Sequence, residues 1–434
     1  MRIAVIGAGI SGLGAAWLLG KNHDVTLFEK QSRIGGHANT VDVNFSSEAI
    51  AVDTGFIVYN ELNYPNLVGL FNYLKVPTKG SEMTFAVSLR DKALEYEGTL
   101  RGLIAQPSNL FKPRYWSMLN GLRKFYAHAY DYAQNSPQDE TLGAFIDRCG
   151  FSKAFIEDHL LPMGAAIWSC PADTMLNFPA RSFIQFMQNH KLMNYIDRPI
   201  WRTVDGGSRS YVTRVLQDFD GQVVRDAQIT SLRRESAGVM ISLEGEGDVF
   251  FDKVILASHA DESLALIEDA SPLETELLSS FQFQPNEVIL HSDEALMPQR
   301  KATWAAWNYM TSQSDQTALS VTYWMNKLQS IDKSKPLFVT LNPFHKPDPA
   351  LTHRVFSYDH PIFDGPAIQA QDRLGEIQGQ NHLYFCGAWT KYGFHEDGLS
   401  SAIKVAKSLG VEIPWNSPSL AWHKPDAVET GLEA

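Results

Sequence analysis

The chain has 434 residues, of which 44% are hydrophobic, and 49 acidic against 37 basic side chains give it a net charge of −12. This length predicts two interleaved domains, and the acidic balance disfavours nucleic acid and indiscriminate binding to anionic lipid. Three scattered cysteines, Cys149, Cys170 and Cys386, indicate neither a disulfide framework nor a metal site and favour a reducing cytoplasm. We also expect no signal peptide and no spanning helix, because no apolar run reaches about 18 residues.

The first 29 residues predict a strand, a glycine turn, a helix and a second strand. An apolar run at residues 3–6 precedes GAGISG at residues 7–12, and the second strand, residues 25–28, ends at Glu29. This spacing is typical of dinucleotide binding: Gly7 permits the turn, Gly9 admits a pyrophosphate, and Gly12 lets helix and strand pack closely. Glu29 follows at the distance from which a carboxylate binds an adenosine ribose.

A second glycine pair follows the ribose-binding acid. Residues 33–37 have the sequence RIGGH, and residues 53–55 have the sequence DTG. The glycine pair lets the chain pass close to a pyrophosphate, and Arg33 can balance its charge. These segments resemble the flavoprotein group that contains amine oxidases, protoporphyrinogen oxidases and phytoene desaturases, with Arg33, Gly35, Gly36, Asp53 and Gly55 in the matching places. The resemblance implies FAD as the cofactor.

Later segments match the same flavoprotein group. The strand before Gly387 and a helix expected to begin near Gly398 would direct a positive helix end at the flavin pyrimidine edge. The resemblance also implies that Ile229 contacts the adenine. The residues assigned to FAD are Gly7, Gly9, Ser11, Gly12, Glu29, Lys30, Arg33, Gly36, His37, Gly55, Phe56, Ile229, Gly387, Gly398 and Leu399.

The same resemblance implies an α/β fold, with a Rossmann-like FAD-binding domain around a parallel sheet interleaved with a mixed α+β substrate domain. We assign residues 1–75, 203–270 and 373–412 to the FAD-binding domain. Residues 76–202 and 271–372 are assigned to the substrate domain, and residues 413–434 to a tail. Residues 60–200 are predicted to be mainly helical, and residues 272–372 to form strands and loops.

Two basic, aromatic segments, residues 100–130 and 181–202, could contact a membrane. The first has five basic residues and no acid. An interfacial segment places such cations toward lipid headgroups and aromatic rings below them. The alternative is a pair of amphipathic helices that cover the substrate domain, and the residues leave both open. On the first interpretation we expect a cytoplasmic protein that lies peripherally on the inner face of the cell membrane.

The loop between Gly387 and Gly398 is expected to face the flavin ring. Amine oxidases have an aromatic residue three places before the final glycine, and His395 at that place argues against an amine substrate. His395 could be the catalytic base, with Glu396 or Asp397 holding its tautomer, or it could simply hydrogen-bond a carbonyl or the flavin. Cys386 is interpreted as a small buried residue rather than a covalent flavin link. Residues 162–170 are predicted to line a pocket with Trp168 as a wall.

Three motifs narrow the resemblance. RIGGH at 33–37, AIWSC at 166–170 and GFHEDGL at 393–399 resemble bacterial FAD-dependent methylated fatty-acyl phospholipid desaturases of furan fatty acid biosynthesis. This implies hydride transfer to flavin N5 from a methyl-branched unsaturated acyl chain of a phospholipid, giving a conjugated diene. The alternatives are a soluble flavin amine or amino-acid oxidase and a non-catalytic FAD-binding partner of a lipid-modifying enzyme. A nicotinamide dehydrogenase would leave the second and last motifs without a role.

Overall fold

An N-terminal βαβ unit begins the structure. β1 (Arg2–Ile6), α1 (Ile10–Leu19) and β2 (Asp24–Phe28) confirm the predicted order of strand, glycine turn, helix and strand. The computed structural model describes residues 1–45, 48–90, 92–137, 139–194, 196, 198–311 and 320–416.

The other elements of the described residues follow in chain order. The strands are β3 (Thr40–Phe45), β4 (Glu48–Asp53), β5 (Tyr59–Asn60), β6 (Thr78–Ser81), β7 (Phe85–Leu89), β8 (Leu94–Glu97), β9 (Trp201–Val204), β10 (Gln222–Val224), β11 (Ile229–Arg234), β12 (Val239–Leu243), β13 (Gly247–Phe251), β14 (Lys253–Leu256), β15 (Phe283–His291), β16 (Trp307–Met310), β17 (Ser320–Trp324), β18 (Phe338–Leu341), β19 (Thr352–Pro361) and β20 (Leu383–Phe385). The α-helices are α2 (Pro65–Tyr73), α3 (Leu100–Leu103), α4 (Pro113–Gln134), α5 (Leu142–Arg148), α6 (Lys153–Phe155), α7 (Leu161–Trp168), α8 (Ala172–Met175), α9 (Ala180–Asn189), α10 (Arg209–Asp218), α11 (Ala260–Leu266), α12 (Pro272–Ser279), α13 (Met325–Leu328), α14 (Gly365–Arg373) and α15 (His395–Ser408). A 3₁₀ turn, Pro107–Phe111, precedes α4, and a π-helical turn, Ile156–Leu160, joins α6 to α7.

Five parallel strands form the central sheet, in the order β10-β2-β1-β14-β20. The β1 side chains are buried on both faces, because α1, α10 and α15 cover one face and the β11–β13 strands with α12 and α14 cover the other. Ile6 pairs with Phe28 and with Leu256, so the strands end at one edge, where sheets of this kind bind ligands. The predicted α/β fold is confirmed.

A seven-stranded mixed sheet, in the order β19-β15-β18-β17-β16-β7-β8, supports the other half of the molecule. Its core continues into α4, α5, α7 and α9. The prediction that residues 60–200 are mainly helical is wrong at β6–β8, because β7 pairs with β16, a partner far along the chain. The parallel sheet takes its strands from the three segments assigned to FAD binding, while the domain boundaries stay a prediction.

Within residues 181–202, the α9 part is largely buried, whereas Ile196 and Ile200 after it are exposed, and membrane contact of this segment stays a prediction. Phe183, Ile184, Phe186 and Met187 of α9 are buried in the core against α4 and α5, so this helix does not offer them to a membrane. No helix in the described ranges is both long and apolar enough to cross a bilayer.

Candidate active site

The turn between β1 and α1 has the geometry that a pyrophosphate needs. A Cβ atom on Gly12 would lie 1.7 Å from the carbonyl oxygen of Gly7, so helix and turn could not approach as they do with any larger residue. A Cβ atom on Gly9 would meet nothing within 4 Å, which leaves open space over the turn. The N-terminus of α1 has no side-chain cap, and its backbone N–H groups point at this space.

The carboxylate of Glu29 lies at the end of β2, beside this turn. It accepts hydrogen bonds from the backbone N–H groups of Ala8, at 2.8 Å, and Gln31, at 3.0 Å. The next residue, Lys30, turns toward Glu262 and forms an ion pair with it. Ile229 starts β11 close by, because the backbone N–H of Ala227 donates to the carbonyl oxygen of Glu29.

The second glycine pair passes directly over the first turn. Gly35 and Gly36 have φ angles of +125° and +56°, and a Cβ on Gly36 would lie 2.9 Å from the Cα of Gly9. Arg33 donates to the carbonyl oxygens of Gly36, at 2.7 Å, and Ala38, at 3.1 Å. The guanidinium therefore holds the loop in shape, in addition to any contact with a phosphate.

His37 and Phe56 follow these loops into the interior. The His37 ring packs against the rings of Tyr358 and His360, and its Nε2 atom is buried with no hydrogen-bond partner among the described residues. The carbonyl oxygen of His37 accepts the N–H of Phe56 at 2.8 Å and would lie 2.3 Å from a Cβ on Gly55. A glycine is required there because the two loops touch.

The C-terminal motif meets the N-terminal one. A Cβ on Gly398 in α15 would lie 2.8 Å from the Oγ of Ser11 and 2.9 Å from the Cγ2 of Ile10. Leu399 is fully buried against α1, and the N–H of Gly387 donates to the Oγ of Ser401 at 2.9 Å. The N-termini of α1 and α15 therefore lie together at the carboxyl edge of the parallel sheet.

Three titratable side chains are desolvated by surrounding protein but are not fully buried. Burial lowers the pKa of His360 to about 4 and that of His395 to about 3, although both rings keep some accessible surface. Tyr323 is also partly accessible, and burial raises its pKa to about 12. A side chain that is desolvated by surrounding protein and still accessible faces an internal space.

The structure places His395 and Glu396 in different environments. Nε2 of His395 lies 3.0 Å from the Tyr211 hydroxyl, and its ring stacks on Phe56 at 3.7 Å between centroids. The expectation that Glu396 or Asp397 holds the His395 tautomer is not met. The helix was predicted to begin near Gly398, but α15 begins at His395. His395, Glu396 and Asp397 are therefore successive residues of one helix, and such side chains do not face one another.

Glu396 instead caps the start of α2. Its Oε1 atom accepts the Asn66 N–H at 3.0 Å and the Asn66 side-chain amide at 2.8 Å, and its Oε2 atom accepts the Leu67 N–H at 2.9 Å. Burial raises the pKa of Glu396 to about 7, against the lowering effect of these three hydrogen bonds. This carboxylate links α15 to α2, and both of its oxygen atoms already accept hydrogen bonds.

An aromatic cluster, which we define as Trp168, Phe186, His190, Tyr392 and Phe394, adjoins the loop between Gly387 and Gly398. Phe186 is central: its ring centroid lies 4.6 Å from Trp168, 4.0 Å from His190, 5.7 Å from Tyr392 and 5.2 Å from Phe394. Trp168 was expected to be a pocket wall, whereas Phe186, His190 and Tyr211 were not assigned to the site. Phe186 and His190 lie in the basic, aromatic segment 181–202, and Tyr211 lies in the segment 203–270 assigned to the FAD-binding domain, so aromatic character was their only sequence signal.

Asp53 is a second buried carboxylate that holds loops together. It accepts hydrogen bonds from the Thr40 hydroxyl and from the backbone N–H and hydroxyl of Ser208 at the start of α10. Burial raises its pKa to about 6, and these hydrogen bonds oppose the rise. The DTG segment therefore joins β3 and β4 to the start of α10, while Gly55 provides the close contact with His37.

Comparison with known proteins identifies this arrangement. The family described as flavin containing amine oxidoreductase matches residues 10–409. The chain belongs to this family. It is thus a member of a family of FAD-dependent oxidoreductases, and FAD is its cofactor.

Individual relatives match in part. Tryptophan 2-monooxygenase from Pseudomonas savastanoi is 27% identical over 301 residues, which cover 59% of this chain and 52% of that protein. The 4,4'-diapophytoene desaturase (4,4'-diaponeurosporene-forming) of Staphylococcus aureus strain Newman is 52% identical over 40 residues, or 9% of this chain and 8% of that protein. The chain therefore spans about half the length of the first relative and a small part of the second.

A solved structure has the same fold over nearly the whole chain. The CLA-producing fatty acid isomerase from P. acnes superposes with a TM-score of 0.64 at 16% identity, covering 94% of this chain and 99% of that one. At this identity the likeness shows the fold alone.

The residues of this chain fit FAD. The open space over Gly9 and the buried, unpartnered Nε2 of His37 are what a dinucleotide between the two glycine turns requires. The residues predicted to hold it are Gly7, Gly9, Ser11, Gly12, Gly36 and His37 around the pyrophosphate, Glu29 and Ile229 around the adenosine, and Gly55, Phe56, Gly387, Gly398 and Leu399 around the flavin, and these contacts stay predictions. Leu399 is fully buried against protein, so its side chain supports the site rather than facing the flavin. Lys30 and Arg33 have protein partners already, so their contact with FAD stays a prediction.

Proposed function

We propose that this protein desaturates a methyl-branched, unsaturated acyl chain of a membrane phospholipid and gives a conjugated diene. When bound, FAD supplies the hydride acceptor for such an oxidation. The residues of the chain must then hold an apolar substrate beside the flavin, exclude water and accept the proton that leaves.

The observation that carries the proposal is the aromatic cluster beside the loop between Gly387 and Gly398. His395 is turned to Tyr211, and Glu396 is turned to Asn66 and Leu67. Tyr392 and Phe394 therefore face Phe186 with aromatic surface on the substrate side. An acyl chain suits such a surface, because contact between apolar groups removes both from water.

The names of similar proteins include acyl or polyene chemistry as well as amine oxidation. One is a fatty acid isomerase and another a diapophytoene desaturase, and both names concern long apolar chains. The methyl branch and the phospholipid come from the resemblance of the RIGGH, AIWSC and GFHEDGL motifs to methylated fatty-acyl desaturases. An allylic C–H bond next to an existing double bond is a better hydride donor than an isolated methylene.

Asp397 is suited to accept the proton. Burial raises its pKa to about 6, and Lys391 opposes the rise. Its side chain borders a small cavity that Tyr392 and Phe394 also line. Its Oδ2 atom accepts the Phe394 N–H at 3.0 Å, which fixes the carboxylate beside the cluster.

The test is anaerobic reduction of the flavin. Purified protein with FAD bound is mixed with a methylated, unsaturated phospholipid in detergent, and the loss of flavin absorbance is followed with time. We expect bleaching with this lipid, none with the saturated lipid of the same headgroup, and formation of a conjugated diene by its ultraviolet absorbance. Bleaching by an amine with no bleaching by lipid would overturn the proposal.

A pair of phenylalanine variants tests the cluster itself. Phe394→Ala should slow reduction by the lipid by about tenfold or more, since a large apolar contact is lost beside the substrate. Phe250→Ala in β13 removes the same side chain on the nucleotide side of the molecule and should leave the rate per bound FAD within about twofold of the unmodified protein.

A second candidate is a flavin oxidase of amines or amino acids, which the 301-residue match to tryptophan 2-monooxygenase favours. Tryptophan is therefore the comparison substrate in the same assay. A protein that keeps FAD and is bleached by neither class would instead be the non-catalytic partner of a lipid-modifying enzyme.

A further inference from the structure

Four large apolar side chains project into solvent from one short stretch of the chain. Phe111 is 87% exposed, Leu100 86%, Trp116 55% and Ile104 55%. We call these four residues the docking face. Single exposed apolar residues are common on protein surfaces, but a group of four marks a surface that another apolar phase covers.

The docking face belongs to one rigid unit. The hydroxyl of Tyr115 donates to the carbonyl oxygen of Leu103 at 2.8 Å, which joins α4 to α3. The indole N–H of Trp116 donates to the carbonyl oxygen of Leu110 at 2.8 Å, which joins α4 to the 3₁₀ turn before it. The intervening core side of α4 is buried, so the exposed residues are held outward by folded structure.

The charge around the docking face is positive, in a chain whose net charge is −12. Arg101 and Arg123 are exposed, and Arg123 donates to the neutral Asn120 side chain. Lys112 donates to the Ala93 carbonyl and the Asn109 amide oxygen, which leave its charge uncompensated. Arg114 differs, because Glu157 and Asp158 pair with it.

Exposed aliphatic and aromatic side chains with cations beside them match the interface of a bilayer that carries anionic headgroups. An apolar protein partner would explain the four side chains and leave the cations without a role. A second copy of this acidic chain would be repelled by its own net charge at long range.

We propose that the docking face, together with Arg101, Lys112 and Arg123, binds the surface of an anionic phospholipid bilayer. This inference rests on the proposed function for its purpose, since a protein that takes its substrate from a bilayer must reach it. The proposed membrane-binding site lies on α3, the 3₁₀ turn and α4. The buried face of α9 is not part of it.

The fold links the docking face to the aromatic cluster. Tyr96 packs beside Tyr115, at 6.1 Å between ring centroids, and its hydroxyl lies 2.9 Å from Nδ1 of His159. From there α7 runs directly to Trp168. A helix of this length spans about 12 Å. The docking face and the aromatic cluster are therefore joined by packed side chains and one short helix.

Vesicle binding tests the proposal without reference to catalysis. The full chain with FAD bound is centrifuged with vesicles of phosphatidylcholine alone or of equal parts phosphatidylcholine and phosphatidylglycerol. We expect binding at least about tenfold stronger to the anionic vesicles and weaker binding as salt rises, because exposed charges are screened. Equal binding to both vesicles, or no binding to either, would overturn the inference.

Variants separate the apolar and the charged contributions. Phe111→Ser with Trp116→Ser should lower the partition to anionic vesicles by about tenfold or more, while Val355→Ser, which removes an exposed apolar side chain from β19, should change it less than about twofold. Arg101→Glu with Arg123→Glu should abolish the preference for anionic vesicles. All these side chains are exposed, so we expect the variants to fold. Their FAD content checks that they do.

Two outcomes point elsewhere. If Phe111→Ser and Trp116→Ser leave vesicle binding unchanged and dissolve a dimer seen by ultracentrifugation, the face binds a second copy and the inference fails. Flavin reduction by lipid in detergent separates the two proposals: reduction without vesicle binding refutes only the docking face, and vesicle binding without reduction refutes only the desaturase.

Discussion

Substitution of Glu396 distinguishes a structural carboxylate from a catalytic one. The side chain accepts three N–H hydrogen bonds, from the backbone of Asn66 and Leu67 and from the Asn66 amide. Glu396→Ala removes all of them at the start of α2. Glu396→Gln keeps the shape and one acceptor oxygen, but it cannot take up a proton as a base.

The cost of Glu396→Ala follows from which donors are left without a partner. The Asn66 amide keeps a hydrogen bond to the Oγ of Ser400 at 3.1 Å, whereas the two backbone N–H groups lose theirs inside the protein. A buried donor without a partner costs about 1–3 kcal/mol, so the free energy of unfolding should fall by about 2–6 kcal/mol. Glu396→Gln leaves one such donor and should cost about 1–3 kcal/mol.

Denaturant unfolding measures the loss of stability in each variant. Flavin reduction by lipid, expressed per bound FAD, measures the loss of catalysis. Glu396 lines the same small cavity as Asp397, Tyr392 and Phe394, but its carboxylate is engaged by Asn66 and Leu67. We therefore expect Glu396→Gln to reduce its flavin within about threefold of the unmodified rate. Asp397→Asn should slow reduction by about 10²-fold or more, as expected for loss of a general base. The reasoning is refuted if Glu396→Gln loses that much rate at unchanged stability while Asp397→Asn does not.

Three further results are expected. Gly398→Ala should weaken FAD binding by about tenfold or more, because its Cβ would lie 2.8 Å from Ser11 Oγ and push α15 away from α1. Gly375→Ala is the control and should not weaken FAD binding, since its Cβ meets nothing within 4 Å. The fluorescence of released FAD measures the affinity of both variants. Burial holds the pKa of His37 well below its usual value in the apoprotein, and a bound pyrophosphate should raise it. FAD binding should therefore weaken as pH rises. His37→Gln should remove this pH dependence, and an equal pH dependence in both proteins would contradict contact between His37 and the pyrophosphate. Burial raises the pKa of Asp53 and of Asp397 from 3.8 to about 6, so the folded state binds more protons between these values. The contribution of each of these two carboxyls to stability should therefore be full below pH 3.8 and be lost as pH rises through about 6, by at most about 3 kcal/mol. Calorimetry of Asp53→Asn against the unmodified protein should show a stability difference that changes with pH in this direction, and a difference that changes in the opposite direction would contradict it.

The cofactor and the fold class could be predicted from the sequence because local spacing specifies them. The glycines at 7, 9 and 12 act within one turn, and Gly36 and Gly398 act where a backbone must come close to another chain segment. Such requirements depend on the absence of a side chain, which is visible in a sequence. The pairing of β1 with β2 follows from the short connection through α1, whereas β10, β14 and β20 join the parallel sheet only after long excursions of the chain.

The partners of the polar groups were decided only by the tertiary structure. His395 and Glu396 are neighbours in sequence and point to Tyr211 and to Asn66, because helix geometry separates successive side chains. The two basic, aromatic segments have similar composition, yet α9 buries its aromatic rings while Phe111 and Trp116 stay exposed. Composition states how apolar a segment is, whereas the packing of distant segments around it determines which of its side chains meet water.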